Sequence, residues 1–543
     1  AAASAATAVL SSGCDPAPRT LAGGFAGIDM ARGHQLRDLL AQGTLPAPAV
    51  VRRAQVVIAG GGVAGLAAAR SLRLAGVDDF ALLELEDTAG GNSRGGQVNG
   101  IACPLGAHYL PVPGDDAREV QDLLEELGLR QRVAGRWQYD ERHLCHSPQE
   151  RLYFEREWQE GLLPVQGVGE ATLEQYRRFS QAVGAASRAA RFTMPQFAAL
   201  DAKTGLAPAH QALDAMTFEA WLQQQGLDDA HLRWYLDYCC RDDYGAGIAR
   251  VSAWAGLHYF ASRHGFHAPG DGAGEDGGGV LTWPEGNGWL SAQLAAPLGE
   301  RLRTGRVIGR IRSEGDGVQI DALHVASGRL ERWHARQAVV ALPLWLAARV
   351  LEPLPAAVRE RAATLRTAPW LVANLRLKGP LADRPGAAPS WDNVLYGSAG
   401  LGYVDAMHQS LQPVPGATVL TYYRALGDVH GGRAELLARP WTHWRDALLT
   451  ELSAPHPDLA DQLLRIDLTR YGHAMAMPTP GILSQIARTS ASTLRQQLPK
   501  QERLQALRFA DAPRLAFAHS DWAGYSIFEE AFTLGHAAGR ALA

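Results

Sequence analysis

One stretch, Gln55 to Gly96 (QVVIAGGGVAGLAAARSLRLAGVDDFALLELEDTAGGNSRGG), limits what this chain can fold into more than any other. It opens on Val56-Val57-Ile58-Ala59, an apolar run too short for a helix and bounded by glycine, which predicts a buried strand. Gly60-x-Gly62-x-x-Gly65 follows at once, and a helical pattern then runs from Val63 to about Leu74, closed by Gly76. A second apolar strand, Phe80 to Leu83, ends on Glu84, roughly 20 residues beyond the glycines. Strand, glycine turn, helix, strand and acid in that order make the βαβ fingerprint of a dinucleotide site.

Each residue type has its own task in such a unit. Gly60 makes the tight turn, Gly62 lets a pyrophosphate approach the backbone, and Gly65 lets the helix lie close on the strand. The free N–H groups and positive dipole end of the helix then face the diphosphate. Glu84 is placed to accept hydrogen bonds from ribose hydroxyls. Beyond it, Arg94 after Gly90-Gly91 is a candidate counter-charge for the pyrophosphate.

A chain of 543 residues calls for two or three domains. Its 47% hydrophobic and 20% charged residues suit a globular protein with a large core. A net charge of −4 without a lysine- or arginine-rich run argues against a nucleic-acid partner. No run of about 18 apolar residues is present, so no spanning helix is expected. The five cysteines, Cys14, Cys103, Cys145, Cys239 and Cys240, match neither a zinc pattern nor a haem-attachment motif. His258, His264 and His267 lack an accompanying carboxylate pattern, and no metal site is expected.

The opening AAASAATAVLSSGCDPAP is small and uncharged and resembles the late part of an export signal, with Leu10 to Cys14 a loose lipoprotein processing site. The expectation is an exported, periplasmic protein, by the twin-arginine route if a folded cofactor-loaded form is moved, with a lipid anchor possible at Cys14. A disordered tail on a cytoplasmic protein is the alternative. Residues 15 to 50 read as irregular. From Asp115 to about Gly265 the pattern is largely helical, with Thr217 starting one helix and Leu232 to Cys240 within another, and Gly270 to Gly279 is a flexible loop. Strands are expected at Arg306 to Arg312, Val318 to Val325 and Ala338 to Leu342, then at Leu371 to Leu377, Thr418 to Tyr423 and Leu515 to His519. Ser526-x-x-Glu529 reads as a capping box for the last helix. Nucleotide-binding pieces therefore fall at 51–114, 280–350 and 476–543, after an N-terminal segment 1–50, with a second domain built from 115–279 and 351–475.

VVIAGGGVAGLAAARSL…LLELEDTAGG, PLGAHYL, WPEGNGWL, the strand ending VVALP, GHAMAMPTPG and FAHSDWAGYSIFEEAFTLGHAAGRAL together resemble the flavin-containing amine oxidase family and its relatives among the phytoene desaturases and protoporphyrinogen oxidases. The resemblance implies an α/β fold, a Rossmann-like FAD-binding domain interleaved with an α+β substrate-binding domain. It implies non-covalent FAD held by Gly60, Gly62, Gly65, Glu84, Gly91 and Arg94. The backbone of Val307 would lie on the adenine side, and Asp521 would hold the ribitol or pyrophosphate. The helix start at Ser526 would face the flavin N1–C2=O edge, where a helix N-terminus stabilises the charge of the reduced ring. Tyr525 would form one wall of an aromatic cage, with Trp522 beside it and His473 in the segment supplying the opposite wall. His108 is a further active-site candidate. Asn374 stands where many amine oxidases carry a lysine near flavin N5, which implies an electron acceptor other than oxygen.

The reaction implied is oxidation of a C–N bond in a small amine or amino-acid-like substrate by hydride transfer to flavin N5. The alternatives are a desaturase- or isomerase-like enzyme acting on an apolar C–C substrate, and a flavoprotein without catalysis.

Overall fold

Strand Arg329–Val340 is the hub of the first of two eight-stranded sheets. Along one edge it pairs in parallel with Val50–Ala59, from Glu331 opposite Val50 to Val340 opposite Ala59. Along its other edge it pairs antiparallel with Gly317–His324, then changes partner and runs parallel to Leu515–Phe517 over Ala338 to Val340. Arg306–Glu314 continues the antiparallel side, and Phe80–Leu83 continues the parallel side next to Val50–Ala59. The computed structural model describes residues 21–41, 43, 45–196, 206–263, 265–270, 279–412, 414–493 and 506–543. Cys14 and the opening segment lie outside them, as do His264 and the acidic residues Asp271, Glu275 and Asp276.

The helix Val63–Leu74 has its expected bounds, with Gly62 as N-cap and Gly76 in the left-handed region at φ 78°. Val50–Ala59 begins earlier than its apolar run. Only Val56 to Ala59 is covered by strands on both edges, by Phe80–Leu83 and by Gln337 to Val340, and only there does the sequence turn wholly apolar. The same holds for Arg329–Val340, whose first half alternates because one face is partly open.

The final helix, Phe528–Leu542, lies on Val63–Leu74 at a glycine seam. A Cβ on Gly535 would sit 2.0 Å from the Ala64 carbonyl oxygen, and one on Gly539 would sit 2.5 Å from that of Ala68. The two backbones meet with no side chain between them.

The second sheet runs in the order Ala22–Phe25, Leu463–Ala476, Thr367–Leu377, Val419–Ala425, Tyr403–Asp405, Asp392–Leu395, Glu150–Phe154, Glu157–Glu160. Two expectations are corrected here. Residues 15 to 50 are not wholly irregular: Ala22–Phe25 pairs in parallel with the strand at 463–476, Arg470 lies 3.6 Å over the Phe25 ring, and Met30–Ala41 is helical. A four-residue strand with two glycines has no apolar pattern, and backbone pairing alone defines it. The second correction concerns residues 130 to 160, expected as helix. They form hairpins that turn at Ala134-Gly135 and Glu155-Arg156, all with positive φ. Charged residues conceal these strands. Arg151, for example, is buried against the face of Trp158 at 3.9 Å and donates to the Asn393 side chain at 2.6 Å.

Helix starts at Thr217 and the helix through Cys240 (Ala230–Tyr244) agree with the sequence, and Cys239 and Cys240 are both core residues. His258 Nε2 donates to the Thr193 carbonyl 2.7 Å away, and among the described residues no His/Cys/Asp/Glu group is arranged to hold a metal. No described helix is long and apolar enough to cross a membrane.

The glycine seam gives a test of sign. Gly-to-Ala exchange inside a helix ordinarily gains about 0.5–1 kcal/mol. That gain is expected at Gly33, exposed in Met30–Ala41 with open space around its Cβ position. At Gly535 the exchange should instead lose about 1–3 kcal/mol through forced separation of the two helices. Denaturant unfolding of both variants measures the difference, and a gain at Gly535 would refute the seam.

Candidate active site

The glycine turn is built by close approaches that exclude other residues. Gly60 has φ 104°, and a Cβ on Gly65 would lie 1.9 Å from the Gly60 carbonyl oxygen. Gly62, by contrast, has only the Cα of Gly91 within reach, at 3.9 Å, so the turn is open toward the Gly90-Gly91 loop. Glu84 is buried, and its carboxylate accepts the N–H groups of Gly61 and Glu86, each at 2.8 Å. Burial raises its pKa against the pull of those two donors. Val307 is buried beside it, and the Arg306 N–H donates to the Glu84 carbonyl at 2.7 Å.

Arg94 is also buried; its Nε has no hydrogen-bond partner and its nearest ion pair, to Glu86, is 3.8 Å long. Asp521 accepts the Leu344 N–H at 2.9 Å, and although burial pushes its pKa up, His519 at 3.3 Å and that N–H hold it below the usual range. A buried acid at the end of the second strand, an open helix N-terminus and a buried cation with an uncommitted N–H fit the ribose and diphosphate of FAD.

Next to this cradle lies a cavity of about 160 Å³. One wall is a face of the second sheet. Trp370 and Val372 are two apart on Thr367–Leu377, with Tyr471 opposite Trp370 and Tyr423 opposite Val372 on the neighbouring strands, so all four side chains emerge together. A second wall is the start of the last helix, Ser526 to Glu529. The third is the run Gly106 to Tyr109, with Asn92 beside it.

The carbonyls of that run and of the two residues before it are all satisfied from outside the two large sheets' ladders. Asn374 donates to the Pro104 oxygen at 2.9 Å, Tyr471 to Leu105 at 2.6 Å and Tyr423 to Gly106 at 2.9 Å. The Asn287 N–H donates to Ala107 at 3.0 Å, Thr282 to His108 at 2.7 Å and the Asn287 side chain to Tyr109 at 2.8 Å. His108 is thereby held in the cavity wall, stacked on Tyr423 with ring centroids 4.5 Å apart. Burial pushes its pKa down to about 3, so it is neutral at working pH.

Of the residues singled out in the sequence, His108 and Ser526 line the cavity. The others proposed for its walls stand elsewhere. Tyr525 is buried behind the wall, donating to Glu530 at 2.6 Å and packed beside His258 and Trp254, while Ile527, two residues on, faces the cavity. Trp522 packs in the core against Phe509 and Phe517. His473 stacks on Trp345 at 4.4 Å and bonds Thr367 at 3.0 Å; its chain neighbours Ala474 and Met475 reach the lining instead. Asn374 shares the face of Trp370 and Val372 but is sealed beneath Pro104 and Thr421. Ser526 does not cap the last helix, since Ile527 is its N-cap and the Ser526 hydroxyl accepts the Ala476 N–H at 2.9 Å.

Sequence reasoning missed Asp242, Asp243, Arg263, Tyr423 and Tyr471, and read Glu529 only as part of a capping box. Strand alternation could have paired Tyr423 with Val372 once register was known; the charged residues carry no local signal.

The cradle predicts the effect of Glu84→Ala. It removes the ribose acceptor and with it the acceptor of the Gly61 N–H in the glycine turn, and a hydrogen bond to a charged group is worth about 1.5–3 kcal/mol. FAD affinity should fall about tenfold to a hundredfold, read from flavin retained on dialysis; unchanged retention would place the ribose elsewhere.

Comparison with known proteins agrees with this architecture. The family model described as flavin containing amine oxidoreductase matches residues 63–543. Among solved structures, wild-type putrescine oxidase bound to putrescine superposes with a TM-score of 0.65 at 17% identity, covering 90% of this chain and 99% of that one. Cyclohexylamine oxidase from Brevibacterium oxydans gives 0.61 at 17% identity over 90% and 98% of the two chains. A conjugated-linoleic-acid-producing fatty acid isomerase from P. acnes gives 0.58 at 15% over 89% and 97%. A Baeyer-Villiger monooxygenase of Pseudomonas aeruginosa is 41% identical over 69 residues, 13% of this chain and 13% of that protein. The chain belongs to the flavin-containing amine oxidoreductase family and is an FAD-dependent oxidoreductase.

Proposed function

We propose that this protein oxidises a C–N bond of a small amine. The observation that carries the reading is the juxtaposition in one cavity of the last helix's N-terminus with an aromatic wall of Trp370, Tyr423 and Tyr471. FAD, when bound, supplies the two-electron acceptor. The chain's own residues orient and dry the substrate. Flat aromatic walls restrict how an alkylamine can lie, and a neutral His108 adds no positive charge to repel it. Low polarity at this wall favours the uncharged nitrogen, whose lone pair must be free for the adjacent C–H bond to break. The kinship of putrescine oxidase and cyclohexylamine oxidase, both named for amines, supports this reading. We also propose a non-oxygen electron acceptor, since no lysine is among the described residues lining the cavity.

A second reading, action on an apolar C–C substrate, draws on the fatty acid isomerase fold and the same apolar wall. Anaerobic mixing of the yellow protein with alkylamines and, separately, with unsaturated fatty acids distinguishes the two. Bleaching by amines supports the first, and bleaching by fatty acids alone overturns it.

The walls can be tested one at a time. Trp370→Ala should slow amine-dependent bleaching by about a hundredfold, the cost of misplacing a reacting bond by about an ångström. Tyr525→Phe, behind the wall, should leave the bleaching rate close to wild type and instead lower stability by about 1–3 kcal/mol, because Glu530 loses a buried donor. A Tyr525 effect on rate larger than that of Trp370 would put the substrate on the other side of the last helix.

A further inference from the structure

The non-oxygen acceptor proposed above must meet the protein near its cofactor end, and two segments that build that end also reach the surface. Leu344 gives its N–H to Asp521, and the next residue, Trp345, stacks on His473 with ring centroids 4.4 Å apart and planes inclined by 22°. Ala474 and Met475, directly after His473, line the cavity. His473 itself is exposed and Trp345 is half-buried. The stack is thus the outer side of the segments that hold the cofactor acid and wall the cavity.

Cations surround it. Arg349, one turn further along helix Leu344–Val350, is exposed and stands 5.9 Å from the Trp345 ring. Arg433, from helix Gly432–Ala438, donates to the Thr367 hydroxyl at 2.8 Å, and that hydroxyl bonds His473 Nδ1 at 3.0 Å. It also donates to the Gly472 carbonyl at 2.5 Å. Arg366, beside Thr367 in sequence, is exposed and reaches the Ala363 and Leu365 carbonyls, each at 3.3 Å. These guanidiniums give their hydrogens to carbonyls and a hydroxyl, and none of the three has an ion pair among the described residues. Glu435, on the same helix as Arg433, is taken by Arg439 at 3.7 Å and His443 at 3.8 Å. The charges that act on His473 are Arg433, Arg349 and the buried Asp521.

In a chain of net charge −4, three arginines from three places in the sequence therefore gather round one aromatic stack without an acid of their own. Such a field draws anions toward it, and tryptophan with arginine is the composition on which protein interfaces concentrate their binding energy. A lipid surface is met instead by runs of about four to eight lysines and arginines on one segment. We propose that the Trp345–His473 stack and its arginines are the docking surface for an acidic electron-carrier protein. The proposal rests on the non-oxygen acceptor. Oxidation of one amine to an imine releases two electrons and two protons; two oxidised carriers each take one electron, and the protons pass to water.

The test uses one carrier in two charge states, basic cytochrome c and its succinylated form, whose lysines have become carboxylates around the same haem. Binding is measured on the oxidised, FAD-loaded full chain, without amine. At low salt the acidic form should associate about tenfold faster than the basic form or better. That advantage should fade as ionic strength rises to about 0.15 M, where charges are screened beyond about 8 Å. Arg349→Glu and Arg366→Glu should each slow association of the acidic form about tenfold, with FAD retention and melting temperature unchanged, whereas Arg349→Lys should bind like wild type. With amine added anaerobically, two haems should be reduced for each amine consumed. Equal or better binding of the basic form overturns the surface, as does binding of the acidic form that ignores both charge reversals. Capture by anionic phospholipid vesicles, lost in the same variants and without binding of the acidic form, overturns it in favour of a lipid contact. A flavin that amine bleaches while the docked carrier stays oxidised overturns the electron-carrier role. If no amine bleaches the flavin, the amine reading falls, and the docking surface is still decided by the binding measured without amine.

Discussion

Six consecutive carbonyls, Pro104 to Tyr109, are the point on which both halves of the molecule turn. A backbone run between two sheets cannot draw its hydrogen bonds from either ladder, and an unsatisfied buried carbonyl is expensive. Here three side chains from one sheet face, Asn374, Tyr471 and Tyr423, take the first three oxygens. Asn287 and Thr282 take the rest from the other side. The same tyrosine rings then serve as cavity wall. Polar tip and aromatic face have separate uses, one fixing the loop that carries His108 and the other shaping the space before it.

This arrangement also explains why two residues two apart on strand Thr367–Leu377 have such different fates. Asn374 spends its amide on Pro104 and Thr421 and is closed off from the cavity. Val372, one pleat nearer the last helix, remains in the lining. Two residues on one strand face are thus divided by a single backbone segment laid across them.

The cofactor half was legible in the sequence because its elements are covered on both sides. Val56 to Ala59, the glycine turn and Phe80 to Leu83 must be apolar or small wherever they occur, so composition and spacing alone define them. The cavity was less legible, for physical reasons. Which face of Thr367–Leu377 turns inward follows from its register with Val419–Ala425 and Leu463–Ala476, and register is a property of three distant segments at once. Tyr525 and Ile527 differ by two positions and would share a face in a regular strand, yet only Ile527 reaches the lining, and the chain bends at Gly524 with φ 82° just before them. Asp242 ends a helix whose pattern is otherwise that of core packing, and nothing local marks it as facing a space.

The glycine seam between Val63–Leu74 and the last helix has a consequence for how the chain is made. Val63–Leu74 leaves the ribosome early, with a buried face of Ala64, Ala67 and Ala68 whose cover, Phe528–Leu542, is encoded near the other end of the described chain. Strand Arg329–Val340 likewise waits for Leu515–Phe517 to complete its far edge. The dinucleotide unit reads as self-contained, yet it is closed last. Contacts this distant in sequence are slow to form and leave apolar surface open meanwhile. The nucleotide cradle is thus closed only after Phe528–Leu542 has been made, and a nascent chain that carries the whole fingerprint still lacks the surface that shuts it.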